Sequence, residues 1–160
     1  MYPELLRLLT CNDLEPEEPE ELTRQILAAP DDPEYAWAQG DASIAMACEL
    51  QDIMGEFAAT SDKIDEAHEQ IQDMFDDDFP GFPHEMFDHA HRIDGNVYFK
   101  WLNGELAERA VEEGGYEAVM FDTGADDRFT IFVVYRKDVA RILELARALG
   151  LRMSSTTAEA

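Results

Sequence analysis

Three groups of side chains have the types and spacing to do chemistry. His84, Asp88 and His91 recur at i, i+4 and i+7, so on a helix they share a face. Imidazole and carboxylate at that spacing can hold zinc or another divalent ion. The zinc-protease pattern His-Glu-x-x-His is not met, because Asp88 stands where the second histidine belongs; a solvated histidine-bearing face is the alternative. Asp122, Asp126 and Asp127 frame Thr123-Gly124-Ala125, and carboxylates held together can share a proton and activate water. Asp76, Asp77 and Asp78 run into Phe79 and Phe82 in a proline-framed loop. Loops of this mixture hold free side chains on a rigid scaffold for a partner; the alternative is that both aromatics fold back onto the core. Neither acid cluster has the alternating acids, glycine and distal glutamate of a calcium loop. No phosphate-cradling Gly-Lys-Ser/Thr, no Gly-x-Ser-x-Gly turn and no basic aromatic surface for nucleic acid occurs. No catalytic residue is assigned.

The elements that must position these groups change character along the chain. Residues 1–95 read as mainly helical and 96–155 as an αβ region of the same single domain. A short amphipathic helix over 3–10 carries Leu5, Leu6, Leu8 and Leu9. The acidic, proline-containing stretch 15–21 leads into a second helix with Leu22, Ile26 and Leu27 inward. Residues 34–59 read as mostly helical, bent at Gly40, with a stripe of Met46, Leu50, Ile53, Met54 and Phe57; Tyr35 and Trp37 read as core anchors before it. Ser61 starts a further helix on whose apolar stripe His68 lies, the place of a satisfied core or boundary histidine. Cys11 and Cys48 read as buried thiols.

The αβ region is the most legible part. Its second long strand, over 128–135, has apolar residues on both faces, which places it inside a sheet covered on both sides. A helix over 138–149 begins at Asp138 as its cap and stops at Gly150. With a strand over 97–102, a helix over 104–113 and a last strand over 151–157, the region reads β-α-β-β-α-β. The fold class expected is therefore α+β: a helical N-terminal half packed with a ferredoxin-like C-terminal half.

Two resemblances attach to these residues. Phe121-Asp122-Thr123-Gly124-Ala125 resembles the active-site signature of retroviral-type aspartic proteases, in which the aspartate pairs with its dimer mate. The chain departs from that family elsewhere: only 33 residues follow Asp127, too few for its flap and later elements. The segment therefore reads as a hairpin loop. Tyr98-Phe99-Lys100-Trp101, Asp122 to Asp126 and Leu143 to Leu151 together resemble an uncharacterised bacterial family of small acidic α+β proteins, over about 97–152. That resemblance implies a structural role for the Asp-Thr-Gly segment and no established activity.

The dominant number is the charge. The chain has 36 acids, 12 bases and a formal net charge of −24. Residues 1–100 carry −20 of it, from 25 acids and 5 bases. Such a surface repels nucleic-acid phosphates and anionic lipid and attracts basic proteins and cations, or it serves solubility alone. No apolar run reaches the ~20 residues of a membrane span, and the N-terminus has no signal-peptide pattern, so the expectation is cytoplasmic. The function expected is a non-enzymatic acidic binding protein, of immunity-protein or inhibitor type, for a basic partner such as a toxin or nuclease. Asp76, Asp77, Asp78, Phe79 and Phe82 form its expected contact surface. The alternatives are a nucleic-acid mimic that occupies DNA- or RNA-binding proteins, and a metal-dependent enzyme using a divalent ion at His84, Asp88 and His91. A homodimer is compatible with either.

Overall fold

Alternation of side chains along one strand decides the architecture. The computed structural model describes residues 1–76, 78–83, 95–125 and 127–157. Strand β3, Phe129–Tyr135, sits inside a four-stranded sheet of order β1-β3-β2-β4, with β1 Ala58–Ser61, β2 Tyr116–Asp122 and β4 Arg152–Ser155. Every neighbouring pair is antiparallel. Ile131 points to one face and Phe132 and Val134 to the other, and all three are fully buried. Val133 is only half-buried, because the face it shares with Ile131 is less completely covered towards the strand end.

Helices fill both faces. On the Ile131 side lie α4, Ile64–Met74, and α5, Gly95–Ala107, through Ala67, Ile71, Tyr98, Leu102 and Leu106. On the Phe132 side lie α1, Tyr2–Leu9; α2, Glu18–Ala28; α3, Ala42–Ile53; and α6, Val139–Leu149. Their contributions include Leu5, Leu6, Ile26, Leu50 and Ile142, each fully buried. Gly150 ends α6 at φ 75°, and the amide of Leu151 reaches back to the Ala146 carbonyl, the closing bond of a glycine-stopped helix. Asp138 makes no side-chain cap there, contrary to the sequence expectation: residues 136–138 already form a 3-10 turn that leads into the helix.

The α+β class stands, and its detail changes in two places. Residues 97–102 are helix, not strand. Their aromatic run mimics a strand, but Tyr98, Phe99, Leu102 and Leu106 fall on one buried helical stripe. The missing strand is β1, whose Ala-Ala-Thr-Ser has little intrinsic strand preference and is held by pairing with β3.

The sheet order also departs from the ferredoxin-like one. There the fourth strand flanks the first, and both crossover helices share a face. Here β4 flanks β2, and α6 covers the face opposite α4 and α5. Each crossover steps two places along the sheet in the same direction, while strand direction and covered face both invert. The two crossovers therefore keep the same hand. Among the described residues no helix is long and apolar enough to cross a membrane.

Candidate functional site

A cavity of about 590 Å³ opens beside edge strand β1. Tyr35 and Trp37 from a 3-10 stretch over Pro33–Ala38 form one wall. Cys48, Gln51 and Asp52 of α3 form the floor, and Thr60, Gln70 and Arg128 the far side.

Local rules build each wall. The Asp32 carboxylate accepts the Glu34 amide at 2.9 Å and Pro33 presets the first turn, so the chain after the Pro-Asp-Asp-Pro break forms a tight turn. Gln39 in the left-handed region, followed by Gly40, ends that turn. Asp41 then caps α3 by accepting the Ile44 amide at 3.2 Å. The Tyr35 hydroxyl donates to Glu49 Oε2 at 2.7 Å and ties the turn to α3. Burial first, and then the Glu49 carboxylate, push the Tyr35 phenol well above its usual range, so it stays a donor. Tyr35 and Trp37 are tilted against each other at 6.2 Å. They are not core anchors: Trp37 is 54% exposed and Tyr35 half-buried, because the two tight turns hold the segment outside α3.

The floor is a polar network. Thr130 is fully buried among apolar neighbours, and its hydroxyl is met by Gln51 Nε2 at 2.9 Å and the Thr60 hydroxyl at 3.0 Å. Gln51 in turn accepts Arg128 Nη2 at 3.4 Å. The Gln70 amide lies along the outer edge of β1: it accepts the Thr60 N–H and donates to the Thr60 carbonyl, both at 2.9 Å. Asp31, Asp32, Glu34, Asp41 and Asp52 are exposed in and beside this region. The cleft thus combines an exposed indole, a fixed polar floor and surrounding carboxylates.

The expected contact surface at 76–83 is rearranged. Phe79 is 3% exposed, stacked on Phe75 at 5.0 Å, with the Arg109 guanidinium 4.4 Å over its ring. It belongs to the core and cannot be an interface anchor. Phe82 is half-buried, stacked on Tyr98 at 5.7 Å and edge-on to His68. Asp76 and Asp78 are exposed; Asp77 lies outside the described residues. So do His84, Asp88, His91 and the short helix expected over 84–92. Among the described residues no three His, Cys, Asp or Glu side chains come together to hold a metal.

The Asp-Thr-Gly segment is the β2–β3 turn. Asp122 Oδ1 accepts the Gly124 amide at 2.8 Å, Thr123 Oγ1 accepts the Ala125 amide at 3.2 Å, and Gly124 takes φ 80° against the Arg152 guanidinium. Asp126 lies outside the described residues. No sequence signal marked the cleft, and the exposure of Trp37 had none, since an aromatic beside an apolar stripe reads as core.

No family model matches the chain, and neither a curated protein nor a solved structure matches it.

Proposed function

We propose that the protein is a non-enzymatic binding protein for a basic protein partner, in the manner of an inhibitor or immunity protein, and that the Tyr35–Trp37 cleft is its anchor point. One observation carries this reading: an indole more than half exposed stands at the mouth of a preformed polar cleft, on a chain of net charge −24. Tryptophan and tyrosine dominate binding energy at interface centres, and long-range charge sets how fast the partner arrives. The retained bases do little to soften that field. Lys63, Arg109, Arg136, Lys137 and Arg141 each lie within salt-bridge distance of an acid of the same chain.

The experiment is to capture partners from native extract at low salt and measure the purified pair at ~50 and ~500 mM salt, where screening differs strongly. The expected result is a steep loss of association rate at high salt. Trp37→Ala should lower affinity by about tenfold or more, while Phe82→Ala should change it less. A salt-independent rate, or an unaffected Trp37→Ala, overturns the reading.

A further inference from the structure

The two edges of the sheet are finished differently. On β1 the outward N–H and C=O of Thr60 are both occupied by the Gln70 side-chain amide. With those groups facing out, the alternation of an antiparallel ladder fixes the facing of every other strand residue. Met120 faces β4, as Ala118 does, whose amide and carbonyl are met by Asn103 and Thr156 beyond the end of β4. Ser154, opposite Met120, therefore faces inward, and Met153 and Ser155 turn their backbone groups to the open edge. The Met153 amide bonds back to the Leu151 carbonyl at 3.1 Å. Among the described residues nothing pairs with the Met153 carbonyl or the Ser155 amide and carbonyl along this edge. An unpaired strand edge is a template for another strand.

Charge selects the occupant. The helix that leads into β4 and β4 itself, residues 139–155, hold three bases and one acid, a net +2 in a chain of −24. β4 itself carries Arg152 and no acid, and Asp122 sits across the ladder from it. The β1 edge instead has Asp52, Glu56 and Asp73 around it. A second copy, repelled by acid on the rest of the surface, meets the least repulsion at β4.

We propose that β4 pairs antiparallel with β4 of a second copy about a two-fold axis at Ser154, joining two four-stranded sheets into one. In that register the Ser155 amide of each copy donates to the Met153 carbonyl of the other, and the Ser155 carbonyls accept the Met153 amides if these leave Leu151. The small, exposed Ser154 side chains meet at the axis as a non-hydrogen-bonded pair with Cα atoms ~4.5 Å apart. The clefts beside β1 stay at the outer edges, so this pairing does not depend on the binding reading above.

The test is sedimentation of the full chain at ~50 and ~500 mM salt, with a disulfide assay. Self-association should strengthen with salt as repulsion between the −24 chains is screened, opposite to the sign for a basic partner. Ser155→Pro removes the outward donor, along with the exposed hydroxyl that bonds Thr157, and should weaken dimerisation about tenfold or more, whereas Ser155→Ala, which loses only the hydroxyl, should not. Ser154→Glu, which sets two carboxylates face to face, should do the same if the proline variant fails to fold. Ser154→Cys should form an interchain disulfide, since the Cα spacing lies within the ~4.4–6.8 Å a disulfide spans; Asp62→Cys, beside the β1 edge, should not. A chain that stays monomeric at high salt, or a dimer indifferent to both Ser155→Pro and Ser154→Glu, overturns the proposal.

Discussion

The Nδ1 atom of His68 and the hydroxyl of Tyr98 lie 2.8 Å apart in the core beneath the 76–83 loop. On the other side of the ring, Nε2 is 2.8 Å from the Pro80 carbonyl oxygen. A carbonyl can only accept, so Nε2 carries a proton and donates to it, while Nδ1 is hydrogen-bonded to the Tyr98 hydroxyl. The fully buried imidazole thus ties the loop carbonyl to α5. Tyr98→Phe removes the hydrogen bond to Nδ1 and should cost about 1–3 kcal/mol in urea unfolding. A cost no larger than that of an exposed Tyr→Phe change would mean that the bridge is not formed.

Ile131→Ala should destabilise by about 2–5 kcal/mol, because a fully buried side chain in an inner strand leaves a cavity walled by α4 and α5. Denaturant unfolding with a loss under about 1 kcal/mol would contradict its inner position.

This strand was readable because its two apolar faces demand cover on both sides, and β2, α6 and β4 followed from it. β1 was not readable: Ala58–Ser61 has no pattern of its own, and its strand character comes from partners of Thr60 that lie 70 residues away in β3, at Thr130, and 10 residues away in α4, at Gln70. α5 was misread because Val-Tyr-Phe-Lys-Trp-Leu satisfies strand preference locally, while its helical stripe becomes visible only when Leu106 is counted with Tyr98, Phe99 and Leu102. At the site the polarity of the reading inverted. Phe79 turned inward because His68, Phe75 and Arg109 supply partners for its ring, and Trp37 stayed outward because two tight turns hold it off α3.

Gly114 and Gly115 have nearly the same backbone, at φ 93° and 90°, and different surroundings. A Cβ on Gly114 meets nothing within 4 Å, whereas one on Gly115 would lie 2.7 Å from the Ala107 carbonyl oxygen. Gly114→Ala should cost about 1–2 kcal/mol for the left-handed backbone alone. Gly115→Ala should cost clearly more, since backbone at the end of α5 must shift. Equal costs in thermal or urea unfolding would show that α5 yields freely there.

Burial holds the Glu117 carboxyl above its usual range, partly offset by Arg136 at 3.9 Å and by a hydrogen bond with Thr157. An acid whose pKa is higher in the folded than in the unfolded chain favours the fold while protonated. That contribution is complete below the unfolded pKa and is lost as pH rises through the folded one. Glu117→Gln should therefore gain stability relative to the parent as pH rises from about 4 towards 7, and then hold level. A difference that stays flat, or falls, across that range would contradict the burial of this carboxyl.

The Cys11 thiol, half-buried with Sγ 3.8 Å from the Val133 carbonyl, is pushed up to about 11 from 9.0, chiefly by burial. Less thiolate is then present near neutral pH, only partly offset by its greater nucleophilicity, so alkylation of Cys11 should be about tenfold or more slower in the native chain than in urea. Peptide mapping after timed iodoacetamide treatment reads this directly, and equal rates would refute it.

The Gln70 amide clasping Thr60 sets the valence of the sheet. A strand stack with both margins unpaired can grow at either end without limit, as fibrils do; a side chain that occupies the outward backbone of one margin, as Gln70 does at Thr60, hinders addition there and favours a single step at the other. Gln70→Ala, by freeing the backbone of Thr60, would turn a terminating unit into a chain-propagating one, and the first sign would be turbidity rather than unfolding.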